Sequence, residues 1–198
     1  MNDLELENSV LNSAKAFIGS HFMLNVLNSI QSDLLLGKSK EAFSNLQMYN
    51  RLLKMSLRSS NQTAHSAADE VKFLTDYVRL EGERFPVFKG KNILKITVSE
   101  DALEIPTFVL QSFIENALLL SLEQKENSIK VEIDANESRV NMQIKIQKKP
   151  EQTLHEKSSK KTELAMDRLK MLDNQSLYSH TTEWNKTCFF QIDIQQRH

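Results

Sequence analysis

The hydrophobic pattern of this chain changes character at Gly90. Before it, apolar residues recur only at helical spacing. After it, strand-like alternation with period two enters, and no glycine occurs from Lys91 to His198. A chain of this kind must place helices against one another first and then build a mixed helix and strand layer. It must also make every later turn, and any ligand contact, without the backbone freedom of glycine.

In the first half, Val10, Ala14, Phe17 and Leu24 form one apolar stripe, and Met23, Leu27, Ile30 and Leu34 form an adjacent one. Two stripes on one long helix predict burial against more than one neighbour. Gly37-Lys38-Ser39 reads as a C-cap glycine followed by an N-cap serine. A second helix carries Ala42, Leu46, Tyr49, Leu53 and Leu57. So short a turn makes the two helices antiparallel neighbours. Arg58 to Ser66 is polar and aperiodic, a linker. Ser66-Ala67-Ala68-Asp69 resembles a capping box and opens a third helix with Val71, Leu74 and Val78, which ends before Pro86.

In the second half, Leu94, Ile96 and Val98 alternate as a half-buried strand. Pro106 is placed in the first turn of a strongly apolar helix through Val109, Leu110, Phe113, Ile114, Ala117 and Leu118. Ile129, Val131 and Ile133 alternate, as do Val140, Met142, Ile144 and Ile146, and the short polar Ala135-Asn136-Glu137-Ser138 makes them a hairpin. Gln147 to Lys161 reads as a lysine-rich loop, Ala165, Leu169 and Leu172 as a last helix, and Phe190, Ile192 and Ile194 as a last strand. The expected fold class is α+β, with a helical domain over residues 1–65 and an α/β sandwich layer over residues 66–198.

Composition excludes several functions. Lys+Arg is 25 against 26 for Asp+Glu, so no basic field exists for nucleic acid. The single cysteine, Cys188, excludes an intrachain disulfide and a multi-thiolate metal site and fits a reducing, cytoplasmic setting. The acidic start, Met1 to Glu7, is unlike a signal peptide, and the longest purely apolar run, Ala117 to Leu120, spans no bilayer. A membrane is expected only through a sensor part, if the chain is a fragment of a membrane kinase.

Four segments then carry a resemblance. His21-Phe22-Met23-Leu24-Asn25-Val26-Leu27-Asn28 is similar to the phosphoacceptor segment of the LytS-type sensor histidine kinases, roughly P-H-F-L-F-N-x-L-N. Arg51-Leu52-Leu53-Lys54-Met55-Ser56-Leu57-Arg58 resembles the end of that family's second helix. Glu70-Val71-Lys72-Phe73-Leu74-Thr75-Asp76-Tyr77-Val78-Arg79-Leu80-Glu81 resembles its E-x-x-F-L-x-x-Y-L-x-L-E stretch. Ile105-Pro106 through Glu115-Asn116-Ala117 resembles its N-box helix. The match runs over about residues 15–195. It implies a homodimer whose N-terminal hairpins pair as a four-helix bundle, followed by a Bergerat-type ATP-binding sandwich.

The departures bear on chemistry. Ser20 stands where the family has proline. The Lys, His and Gly of the N-box are Leu119, Leu120 and Ser121. Gln147-Lys148-Lys149-Pro150 stands where D-x-G-x-G should hold adenine, and Lys160 to Leu164 has no glycine where G-x-G-L should lie. Phosphate-cradling loops normally need glycine, so the chain lacks the usual means of holding ATP.

His21 is the candidate phosphoacceptor, for which one neutral imidazole nitrogen must reach solvent. A histidine packed at a helix interface is the alternative. Asn25 lies one turn on, on the same face, and could orient a water or phosphoryl oxygen; it and Asn28 could equally bond within the bundle. Glu115 and Asn116 match the family's base and magnesium-holding amide. Without a phosphate loop one amide is a poor Mg²⁺ site, so a remnant or structural role is expected and no metal or cofactor is assigned. The lysine-rich loop reads as solvated.

Three functions are carried forward. The first is a phosphorelay histidine phosphotransferase, exchanging phosphoryl groups between His21 and the aspartate of a response-regulator receiver domain without ATP. The second is a catalytically inactive pseudokinase, a dimerisation or scaffold module. The third is an active sensor histidine kinase, in which case ATP and Mg²⁺ would apply. All three are two-component signal-transduction roles.

Overall fold

The computed structural model describes residues 19–59, 62, 64–85, 93–123, 129–147, 176–184 and 187–196. Four helices and seven strands lie in this part: α1 (Ser20–Leu35), α2 (Ser39–Ser59), β1 (Ala64–Ser66), α3 (Ala67–Arg84), β2 (Leu94–Val98), β3 (Glu104–Pro106), α4 (Val109–Glu123), β4 (Ile129–Ala135), β5 (Arg139–Gln147), β6 (Ser176–Trp184) and β7 (Thr187–Gln196). The class is α+β. The lysine-rich loop beyond Gln147 and the helix expected over Ala165 to Leu172 lie outside the described residues, as does the stripe from Val10 to Phe17.

The chain divides into two compact units. One comprises Met1–Thr63 with Phe73–Lys91, the other Ala64–Lys72 with Asn92–His198. Helix α3 therefore gives its first residues to one unit and the rest to the other.

In the first unit, α1 and α2 form a helical hairpin. Gly37 takes φ 74, a conformation costly for any side chain. The Gly37 N–H reaches the Leu34 carbonyl at 3.1 Å and the Lys38 N–H reaches the Asp33 carbonyl at 2.8 Å. This is a Schellman cap, as the glycine implied. The serine assignment needs correction: Ser39 is the first helical residue, and the Lys38 carbonyl accepts the Ala42 N–H at 3.0 Å, so Lys38 holds the cap position. The Asn45 side chain bonds Asp33 at 3.2 Å across the hairpin.

The buried faces also differ from the expected stripes. On α1 the inward residues are Phe22, Val26 and Ile30, and Leu24 is 62% exposed. On α2 they are Ala42, Asn45, Met48, Tyr49, Leu52, Ser56 and Ser59, with Leu46 and Leu57 outside. Each helix has two apolar faces, and periodicity alone does not say which one its own hairpin covers. On α3, Val71, Leu74 and Val78 are buried as expected.

In the second unit, five strands run in the order β2-β4-β5-β7-β6, with β2 and β4 parallel and the other pairs antiparallel. Along β4 burial alternates strictly, with Ile129, Val131, Ile133 and Ala135 inside. Val140, Met142, Ile144 and Ile146 of β5 and Ile192 and Ile194 of β7 complete the inner face. The β4–β5 turn is closed by Asn136, whose Oδ1 accepts the N–H groups of Ser138 and Arg139 at 3.0 Å each. A separate two-stranded pair joins β1 to β3, with His65 opposite Ile105. Pro106 accordingly ends a strand and does not open α4, which starts at Val109. Strands β1, β3 and β6 are absent from the sequence reading. The first two are three residues long, and β6 (Ser-Leu-Tyr-Ser-His-Thr-Thr-Glu-Trp) has no apolar alternation.

Candidate functional site

Helix α1 carries the first candidate pair. Gly19 stands at its cap position, and His21 lies in its first turn. Phe22 turns inward and stacks on Tyr77 of α3, ring centroids 4.8 Å apart, and Tyr77 in turn stacks on Phe73 at 6.3 Å. This buried aromatic column fixes the rotation of α1. Asn25, one turn after His21, is half-buried and engaged in an interaction of its own. Asn28 is exposed. The side chain of His21 lies outside the described part, as does that of Asn116.

Helices α2 and α3 are tied beside this segment. Arg51 Nε and Nη2 donate to the two carboxylate oxygens of Asp76 at 2.7 and 2.8 Å. Those hydrogen bonds hold the guanidinium above its ordinary pKa. The pair is the parallel fork expected of arginine with carboxylate.

The second candidate pair, Glu115 and Asn116, lies on α4 in the other unit. Glu115 is half-buried, and its Oε1 accepts Gln111 Nε2 at 2.8 Å. The two candidate pairs thus belong to different units. Among the described residues no group of three or more His, Cys, Asp and Glu side chains could hold a metal.

The structure adds a constellation with no counterpart in the sequence reading. Ser66 caps α3, its Oγ accepting the Ala68 N–H at 3.1 Å. One turn later Glu70, at 0% exposure, turns away from its own helix. Its Oε1 accepts the Leu110 and Gln111 N–H groups at 2.6 and 3.1 Å, and its Oε2 lies 2.9 Å from His65 Nε2. A carboxylate here satisfies orphan N–H groups of α4 and meets the positive end of its dipole. His65 packs edge-on to Phe108, centroids 5.5 Å apart. Phe108 has φ 58, a strained value for a bulky residue, worth roughly 1–3 kcal/mol. The only signal for this cluster was a glutamate beside apolar Val71 at a helix start, which reads more simply as a first-turn acid serving its own helix.

The Histidine kinase family model matches residues 9–87, the span that holds His21, Arg51 and Glu70. The sensor protein LytS of Bacillus subtilis is 28% identical over 144 residues, covering 67% of this chain and 23% of its own length. The family match spans the first three of the four segments that carry the sequence resemblance. The chain is similar to the LytS-type sensor histidine kinases. The sensor histidine kinase BtsS of Escherichia coli is 25% identical over 142 residues, with 72% of this chain and 25% of that protein covered. The chain spans about a quarter of the length of the curated relatives it matches. Among solved structures, a bacterial phosphotransferase aligns over 97% of both chains at 12% identity and TM-score 0.46, a likeness too distant to transfer chemistry. Among the described residues, no helix is long and apolar enough to cross a membrane.

Proposed function

We propose that this histidine-kinase-like chain is a phosphorelay protein of two-component signalling that uses His21 as phosphoacceptor and does not bind ATP. The observation that carries the reading is the retention of His21 and Asn25 on α1 in a chain with no glycine after Gly90. Residues 1–65 serve as the dimerisation and phosphotransfer hairpin, and residues 66–198 as a degenerate ATPase-like domain of Bergerat type. Two hairpins associate as a four-helix bundle in the cytoplasm, and a response-regulator receiver domain docks on it.

In the transfer, the lone pair of a neutral His21 ring nitrogen attacks the phosphorus of an aspartyl phosphate in line. The N–P bond forms as the P–O bond breaks, and the aspartate leaves as a free carboxylate. Asn25, one turn away, is suited to orient a phosphoryl oxygen or a water. The remnant pair Glu115 and Asn116 takes no part.

The test is incubation of the protein with labelled phospho-receivers. Label should pass to wild type and not to His21→Ala, with melting temperature and dimerisation nearly unchanged. Label on His21→Ala refutes the site. Failure of wild type with every receiver leaves the pseudokinase scaffold as the function.

A further inference from the structure

The outer face of the hairpin carries a regular pattern that the sequence stripes did not isolate. On α2, Phe43, Leu46, Asn50, Leu53 and Leu57 follow one another at spacings of three and four. Phe43 is 62% exposed, Leu46 38% and Leu57 42%; Asn50 is exposed and Leu53 half-buried. On α1, Leu24, Leu27, Gln31 and Leu34 repeat the spacing, and all four are exposed. Leu35 and Leu36 continue the apolar surface around the turn. Alternating three and four is the seam of a left-handed helical bundle.

The occupant of this face is a second copy of the chain. A fully exposed large side chain presents on the order of 150–200 Å². The apolar residues named leave roughly 700 Å² on one copy, more than an ordinary monomer patch and close to the about 800 Å² that each partner gives a standard interface.

Within that seam, Asn50 is the one polar residue on α2. We infer that Asn50 sets the register and number of the self-associating chains by pairing with its own copy. A two-fold axis along the bundle brings identical residues to the same height, whatever their type. Asn50 then meets Asn50 of the second copy, and each amide can satisfy the other. A shift along the seam or a different partner sets the amide against leucine and leaves it buried without a hydrogen bond, and a third chain brings three amides together where the mutual pairing of two is lost. Gln31 sits one turn from the end of α1, where its longer side chain can reach water. The inference rests on the dimer reading above.

Two variants of the full chain test it. Asn50→Leu should fold as judged by circular dichroism, dissociate at a concentration at least tenfold lower, and show species larger than a dimer by light scattering. Asn50→Leu/Leu53→Asn moves the amide by one seam position. Donor- and acceptor-labelled chains of this variant and wild type, mixed and re-equilibrated, should form mixed dimers well below the statistical half. Mixed dimers at the statistical half, or Asn50→Leu remaining purely dimeric or weakening, overturns the role of Asn50. Wild type running as a monomer at micromolar concentration overturns the dimer reading itself, a distinct result.

Discussion

Glu70 caps a helix that begins some 40 residues later in the chain: its Oε1 accepts the Leu110 N–H at 2.6 Å, and the carboxylate is fully buried. The same group reaches Gln111 and His65, so one side chain joins the start of α3, strand β1 and the start of α4.

Glu70→Ala should therefore be among the most damaging single changes in its unit. It strands two buried N–H groups and removes a charge-assisted bond, at a cost of about 3 kcal/mol or more. For a chain of this size that lowers the melting temperature by roughly 6–12 °C. Glu70→Gln keeps an oxygen for the N–H groups but loses the charge at the helix end, so the loss should be nearer 1 kcal/mol. Thermal melts followed by circular dichroism compare the two, and equal losses would show that the carboxylate charge decides rather than the acceptor.

Burial raises the Tyr49 hydroxyl above its ordinary pKa near 10. Above pH 10 the tyrosine of the unfolded chain ionises first, which draws the equilibrium toward unfolding. The contribution is intact below pH 10 and is lost as pH rises through the folded value. Urea melts should show the hairpin unit weakening in this alkaline range, and Tyr49→Phe should flatten that part of the profile.

A charge in the exposed seam should block self-association without unfolding the hairpin. Leu46→Glu buries an unpaired carboxylate in the dimer, costing several kcal/mol, while the isolated chain keeps a solvated side chain. Light scattering should report a monomer and circular dichroism an unchanged helix signal. A dimer that persists would move the interface away from this face.

Millimolar ATP with Mg²⁺ should leave the melting temperature unchanged. A ligand at 100 times its Kd adds about 2.7 kcal/mol, a rise of several degrees here. A clear upward shift, or γ-phosphate label on the protein, would restore the active kinase.

Much of the architecture is a local property and was legible in the chain. The turn at Gly37 needs a positive φ, the turn at Asn136 needs a side chain that accepts its own backbone, and the strict alternation from Ile129 to Ile133 needs a half-buried sheet. Each signal lies within a few residues, so propensity and spacing suffice to place it. Which apolar face of α1 is covered could not be read the same way: Leu24 and Phe22 are both hydrophobic, and only the stack on Tyr77 puts Phe22 inside. The Glu70 cap, the β1–β3 pairing and the strained Phe108 also depend on partners distant in sequence. A carboxylate at the start of one helix looks alike whether it serves that helix or another, because the N–H groups that capture it are brought near only when the chain folds.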